Sequence, residues 1–120
     1  MAGGPTLAAV ADIHAPRFLE LLKQALSSLL EEKGEPDLLL LVGDLVAKND
    51  HPQMEAILEL LEDLNCPFLA CFGNEEYQDS EEAYRAYERV RWLDDEATVL
   101  ELGGLRVGVV GSRGSLDRPT

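Results

Sequence analysis

Short continuous apolar runs alternate along this chain with segments whose apolar residues recur at steps of three and four. Residues 6–11 (TLAAVA) read as a buried strand. Pro16 then suits the first turn of a helix, and Phe18, Leu21, Leu22, Ala25, Leu26, Leu29 and Leu30 make one apolar stripe that Gly34 and Pro36 end. The run Leu38–Val42, bounded by Asp37 and Gly43, has the character of a central parallel strand covered on both faces. Asn49 and Asp50 offer caps for a second helix, with Pro52 in its first turn and Met54, Ile57, Leu58, Leu61 and Leu64 as its stripe. Residues 68–72 (FLACF) predict a third strand, and Asp79 or Ser80 caps a third helix with Glu81 and Glu82 at its positive end.

The period then changes to two. Residues 98–102 and 105–110 flank Gly103-Gly104, a pair suited to a two-residue hairpin turn. Opposing Leu102 with Leu105 puts Leu100 against Val107 and Thr98 against Val109 on one apolar face, with Glu101 and Arg106 paired on the other. The element order β-α-β-α-β-α-β-β predicts an α/β fold: a parallel β-α-β-α-β start with right-handed crossovers and a C-terminal β-hairpin.

Composition narrows the possibilities. A chain of 120 residues with 46% hydrophobic and 28% charged residues implies one small globular domain. Its net charge of −13 argues against duplex nucleic acid or an anionic membrane as partner, because both need a cationic footprint. An anionic substrate stays open if bound cations stand between it and the carboxylates. No apolar run reaches membrane-spanning length, and the N-terminus lacks the basic start and apolar stretch of a signal peptide. Cys66 and Cys71, at odd spacing on one extended segment, point to opposite faces and fit reduced thiols, hence a cytoplasmic location.

The chemistry gathers at the strand ends. In open parallel sheets, ligands bind beyond the carboxyl ends of the strands. The first strand here ends in Asp12-Ile13-His14, the second in Gly43-Asp44 and the third in Gly73-Asn74-Glu75-Glu76. Three adjacent strands would aim Asp12, His14, Asp44 and Asn74 at one small volume. Asp or Asn after a single strand is an ordinary turn former. Two carboxylates, an imidazole and an amide oxygen at three successive strand ends form an oxygen and nitrogen donor set for divalent ions such as Mn, Fe, Zn or Ni.

Asp12-Ile13-His14, Gly43-Asp44 and Gly73-Asn74 resemble, in order and spacing, the D-x-H, G-D and G-N-H-[D/E] signature of the calcineurin-like metallophosphoesterase superfamily. The resemblance covers about residues 6–76, and the closing segment 111–117 also looks like a mid-chain stretch of some prokaryotic members. It implies that Asp12 and His14 hold a first metal, that Asp44 bridges two metals and that Asn74 holds the second. A metal-bridging hydroxide would then attack the phosphorus of a phosphate-ester substrate in line, with Asp44 and His14 in the catalytic centre. Two departures stand out. The family's G-N-H histidine is Glu75 here, so Glu76 matches the acidic residue but has no histidine to orient. The family's later histidines, one alone and two in G-H-x-H, have no counterpart, which implies a single, incomplete domain over 1–120 like the N-terminal half of the family's sandwich.

Arg113, in a glycine-flanked loop, is a candidate phosphate contact, whereas His51 suits a loop or helix start. Tyr84, Tyr87 and Trp92 read as packing residues around the third helix. A rival to the enzyme reading is a non-catalytic binding or scaffold domain that keeps the strand-end loops. An α/β layer with three helices and no second layer leaves sheet surface open, so the chain is expected to self-associate or to take a completing segment.

Overall fold

The computed structural model describes residues 3–113. The chain runs β1 (Leu7–Val10), α1 (Leu19–Lys33), β2 (Leu38–Val42), α2 (Met54–Leu60), β3 (Phe68–Cys71), α3 (Glu81–Arg85), β4 (Val90–Trp92), β5 (Glu96–Leu102) and β6 (Leu105–Gly111). Single 3-10 turns at His51–Gln53 and Gln78–Ser80 lead into α2 and α3.

β1 to β4 form one parallel sheet in sequence order, and β5 with β6 forms a separate antiparallel pair. Leu7 to Val10 pair with Leu38 to Leu41, and Leu39 to Val42 pair with Phe68 to Cys71. In-order pairing with helical crossovers brings three strand ends side by side, as the element order predicted. The fourth parallel strand escaped the sequence reading. Val90 and Trp92 give it only one alternation of buried residues around exposed Arg91, too short a pattern to register until β3 supplies the pairing.

Alternate β2 and β3 residues face opposite layers. Leu39, Leu41, Phe68 and Ala70 pack under the helices with Met54, Ile57, Leu61, Tyr84 and Trp92. Leu38 and Leu69 face the other way, where Leu93 and the hairpin residues Leu100, Leu102, Val107 and Val109 cover them. The hairpin takes the predicted register, with Leu102 opposite Leu105, Leu100 opposite Val107 and Glu101 opposite Arg106. Leu105, at the turn, is exposed although it belongs to the apolar face, while its partner Leu102 is buried.

Three expectations need correction. The α1 helix starts at Leu19, not at Pro16, because residues 14–17 close a turn in which the Arg17 N–H donates to the His14 carbonyl. β1 is an edge strand with alternating exposure, not a buried one, and Leu7 is 49% exposed. Of the long apolar stripe only Leu22 is fully buried, while Leu21 is 61% exposed, because no strand lies beyond β1 for the helix to cover among the described residues. An open apolar groove therefore runs along β1 and α1 between Val10, Phe18, Leu21 and Ala25.

Candidate metal centre

The β1–β2 pairing continues past the strands themselves. The Asp12 N–H donates to Gly43 O (3.1 Å), the His14 N–H to Asp44 O (3.0 Å) and the Ala15 N–H to Leu45 O (2.9 Å). These bonds lock the loop after β1 onto the loop after β2 and fix which side chains meet. Asp12, His14 and Asp44 each take a left-handed backbone, with φ of 58°, 46° and 51°. That region costs a non-glycine residue energy, and such residues cluster at functional sites. Here the turn at each strand end swings the side chain out toward a common volume.

Asp12, His14 and Asp44 each present a ligand atom, and these atoms lie within 4.8 Å of one another. His14 Nε2 stands 3.6 Å from Asp12 Oδ1. Phe18 packs edge-on against the His14 ring, 6.4 Å between centroids. Donors around a divalent cation bound at ~2.1 Å stand roughly 3–4 Å apart, the range in which His14 Nε2 and Asp12 Oδ1 already lie. Two carboxylates with one imidazole suit a borderline or hard divalent metal better than a thiolate-seeking one. The residues fit the group.

Asn74 is exposed at the tip of the loop after β3. Its loop touches Asp44 directly, since the next residue's N–H, that of Glu75, donates to Asp44 Oδ1 at 2.9 Å. That bond orients the Asp44 carboxylate and leaves its other oxygen for a cation. The close approach depends on glycine. A Cβ on Gly73 would lie 2.4 Å from the Asp44 nitrogen and 2.5 Å from Asp44 Oδ1.

Two glutamates behave otherwise than the sequence implied. The Glu75 carboxylate accepts the Lys48 N–H at 2.8 Å, so it caps the loop after β2. Glu76 is fully buried, and its carboxylate accepts backbone N–H groups from Asp44 (2.8 Å), Leu45 (2.9 Å), Val46 (3.3 Å) and Gly73 (2.8 Å). Burial pushes its pKa above the usual carboxylate range, and the four N–H donors pull the other way. The position matched a family signature, but that its partners are backbone amides thirty residues upstream was not legible from the chain.

Asn49 was expected to cap a helix. It instead joins two loops: its Oδ1 accepts the Tyr77 N–H (3.0 Å) and the Tyr84 hydroxyl (2.7 Å), while Nδ2 donates to Ser80 Oγ (2.8 Å). His51 stands against the Tyr84 ring, outside the cluster, and opens the 3-10 turn before α2, in keeping with the loop or helix-start role its position suggested. Arg113 lies over the Phe72 ring at 4.7 Å, and its Nη1 donates to Gly73 O (3.2 Å) and Glu76 O (2.6 Å). It thus braces the loop that carries Asn74. The rest of the 111–117 segment, from residue 114 on, lies outside the described residues.

A parallel α/β sheet whose strand ends present a mixed carboxylate and imidazole set defines a class of α/β domains able to hold a divalent metal at those ends. Within that class, the model of the calcineurin-like phosphoesterase family matches residues 5–116, and the chain belongs to that family. The family is generally dependent on divalent metals. A comparison with curated proteins found no match. Among the described residues, no helix is long and apolar enough to cross a membrane.

Proposed function

We propose that this domain hydrolyses phosphate esters at a centre of two divalent cations, with manganese the metal of choice and activated diesters the preferred substrates. One observation carries the reading. Three candidate ligands from two strand ends converge within 4.8 Å, and all three hold the costly left-handed backbone that the convergence requires. In this reading Asp12 and His14 hold the first ion, Asp44 serves both, and Asn74 holds the second. Such ions, when bound, activate water and clamp a phosphoryl group.

The chain's own residues set what else happens. The Glu75 N–H fixes the rotation of the Asp44 carboxylate. Position 75 supplies no proton to a leaving group, because its side chain is a carboxylate engaged with the Lys48 N–H. A poor alkoxide leaving group therefore goes without protonation, and a nitrophenolate needs none. Arg113 contributes through the loop it braces. Direct phosphate contact would require exposure of its Nε and Nη2, which are buried and unbonded among the described residues.

A second reading, a binding or scaffold domain without turnover, is favoured by that same Glu75 engagement. We place the domain in the cytoplasm, since Cys66 and Cys71 are both free and burial raises both thiol pKa values, which keeps them inert.

Thermal unfolding with Mn²⁺ tests the metal. At a free concentration of about 100 times Kd, binding adds about 2.7 kcal/mol, or roughly 10 °C for a domain of this size. Asp44→Asn is expected to remove most of that shift. Hydrolysis of bis(4-nitrophenyl) phosphate, lost in Asp44→Asn, then separates the enzyme from the scaffold. A wild-type chain that shows no metal-dependent shift sinks the site, and one that binds Mn²⁺ without turnover favours the scaffold.

A further inference from the structure

The most connected side chain near the site is not one of the metal ligands. Gly43 and Asp44 take successive left-handed conformations, φ 74° and 51°, and this turn aims the N–H groups of Asp44, Leu45 and Val46 at one point. A concavity of successive N–H groups is an anion site. Its anion is supplied from within the chain: the Glu76 carboxylate, fully buried, takes all three and adds the Gly73 N–H from its own loop. One oxygen of that carboxylate, Oε1, joins Asp44 to Gly73 and so joins the two loops.

The bonds then run onward. The peptides that donate to Glu76 present their carbonyls to the loop after β1, where the His14 N–H takes Asp44 O and the Ala15 N–H takes Leu45 O. Glu76 therefore holds the loop after β2 from behind, and that loop holds the backbone of His14 from the front. We propose that Glu76 is a positioning residue: its carboxylate sets the spacing of all three strand-end loops and thereby the metal affinity of Asp12, His14 and Asp44. The inference rests on the metal-site reading above. It departs from the orienting role toward a histidine that the sequence resemblance implied.

Glu76→Gln replaces one acceptor oxygen by an NH₂ group facing N–H donors, so it breaks part of the clamp at nearly constant volume. Partners behind a ligand set typically change metal affinity by about 10–100-fold, and we expect at least a tenfold loss of Mn²⁺ affinity, read by electron paramagnetic resonance of free Mn²⁺. Leu64→Ala, a buried site at the opposite end of β3, is the control: it lowers the melting temperature and leaves Mn²⁺ affinity unchanged. A clamp that acts only through global stability would make the two variants alike, and that result overturns the proposal.

Hydrogen exchange in the metal-free chain separates this inference from the reading beneath it. Glu76→Gln is expected to speed exchange at the amides of Asp44, Leu45, Val46 and Gly73 while other amides keep their protection. Unchanged exchange at those amides, or wild-type Mn²⁺ affinity in the variant, overturns the clamp. Faster exchange in a protein whose wild type binds no Mn²⁺ overturns the metal reading and leaves the clamp standing. Should Gln fail to fold, Glu76→Asp keeps the charge with one methylene less, and its Mn²⁺ affinity is expected below that of the wild type. Wild-type affinity in Asp would overturn the spacing argument.

Discussion

Replacing Gly73 by alanine adds one methyl-sized group at the tightest point between the loops after β2 and β3. The new Cβ would stand 2.4 Å from the Asp44 nitrogen, 2.5 Å from Oδ1 and 2.9 Å from Cγ. The carboxylate oxygen can swing aside, at the expense of the bond it accepts from the Glu75 N–H. The Asp44 nitrogen cannot, because its N–H and that of Gly73 share Glu76 Oε1. The loops must therefore part. Overpacking of this kind costs about 1–3 kcal/mol, and weakening a hydrogen bond to a charged group adds about 1–2 kcal/mol. The two losses share atoms and do not fully add, so we expect about 2–4 kcal/mol, or roughly 10 °C in Tm. The assay is urea unfolding with and without Mn²⁺, the slope m being checked for constancy. Gly108→Ala is the companion, since a Cβ there meets nothing within 4 Å. Alanine in an exposed strand position is neutral or stabilising by up to about 1 kcal/mol. Equal stability of the two variants, or a Gly73→Ala protein that keeps its full Mn²⁺ response, would refute the close-packed loop geometry.

Two further outcomes are expected. Burial, followed by the negative charges of Glu76 and Asp50, raises the Tyr84 hydroxyl well above its ordinary value of 10.0, so the folded state favours the neutral phenol that donates to Asn49. Its contribution is complete below that ordinary value and is lost as the pH climbs toward the folded one; Tyr84→Phe should flatten the fall in stability above about pH 10, and an equally steep fall in the variant would contradict this. Self-association, or capture of a completing segment, should cover the edge of β1 that is free among the described residues, with exposed Leu7 and Leu21 beside it; light scattering at micromolar concentration that returns a monomer with no hydrophobic-dye binding would show that this surface needs no cover.

Whatever depends on local period and local turn chemistry is readable from the residues alone. Three apolar runs spaced by helical stripes predict a parallel β-α-β-α-β order, and pairing of those strands in sequence order puts Asp12-Ile13-His14, Gly43-Asp44 and Gly73-Asn74 at neighbouring strand ends. The hairpin register followed from Gly103-Gly104 and strict alternation, because a slip by one residue would send Leu100, Leu102, Val107 and Val109 to the wrong face. Pairings that span thirty or so residues emerge only once the chain has folded. Trp92 belongs to a fourth strand because β3 lends it hydrogen bonds. Half of the α1 stripe stays exposed because β1 has no outer neighbour among the described residues. Asn49, a plausible cap on local grounds, bonds to Tyr77, Ser80 and Tyr84 instead. Glu76, one acid in an acidic stretch, becomes the buried anion of a turn set by Gly43 and Asp44. Backbone N–H groups carry no sequence signature, and which of them are left for a side chain to satisfy is known only once the strands have paired.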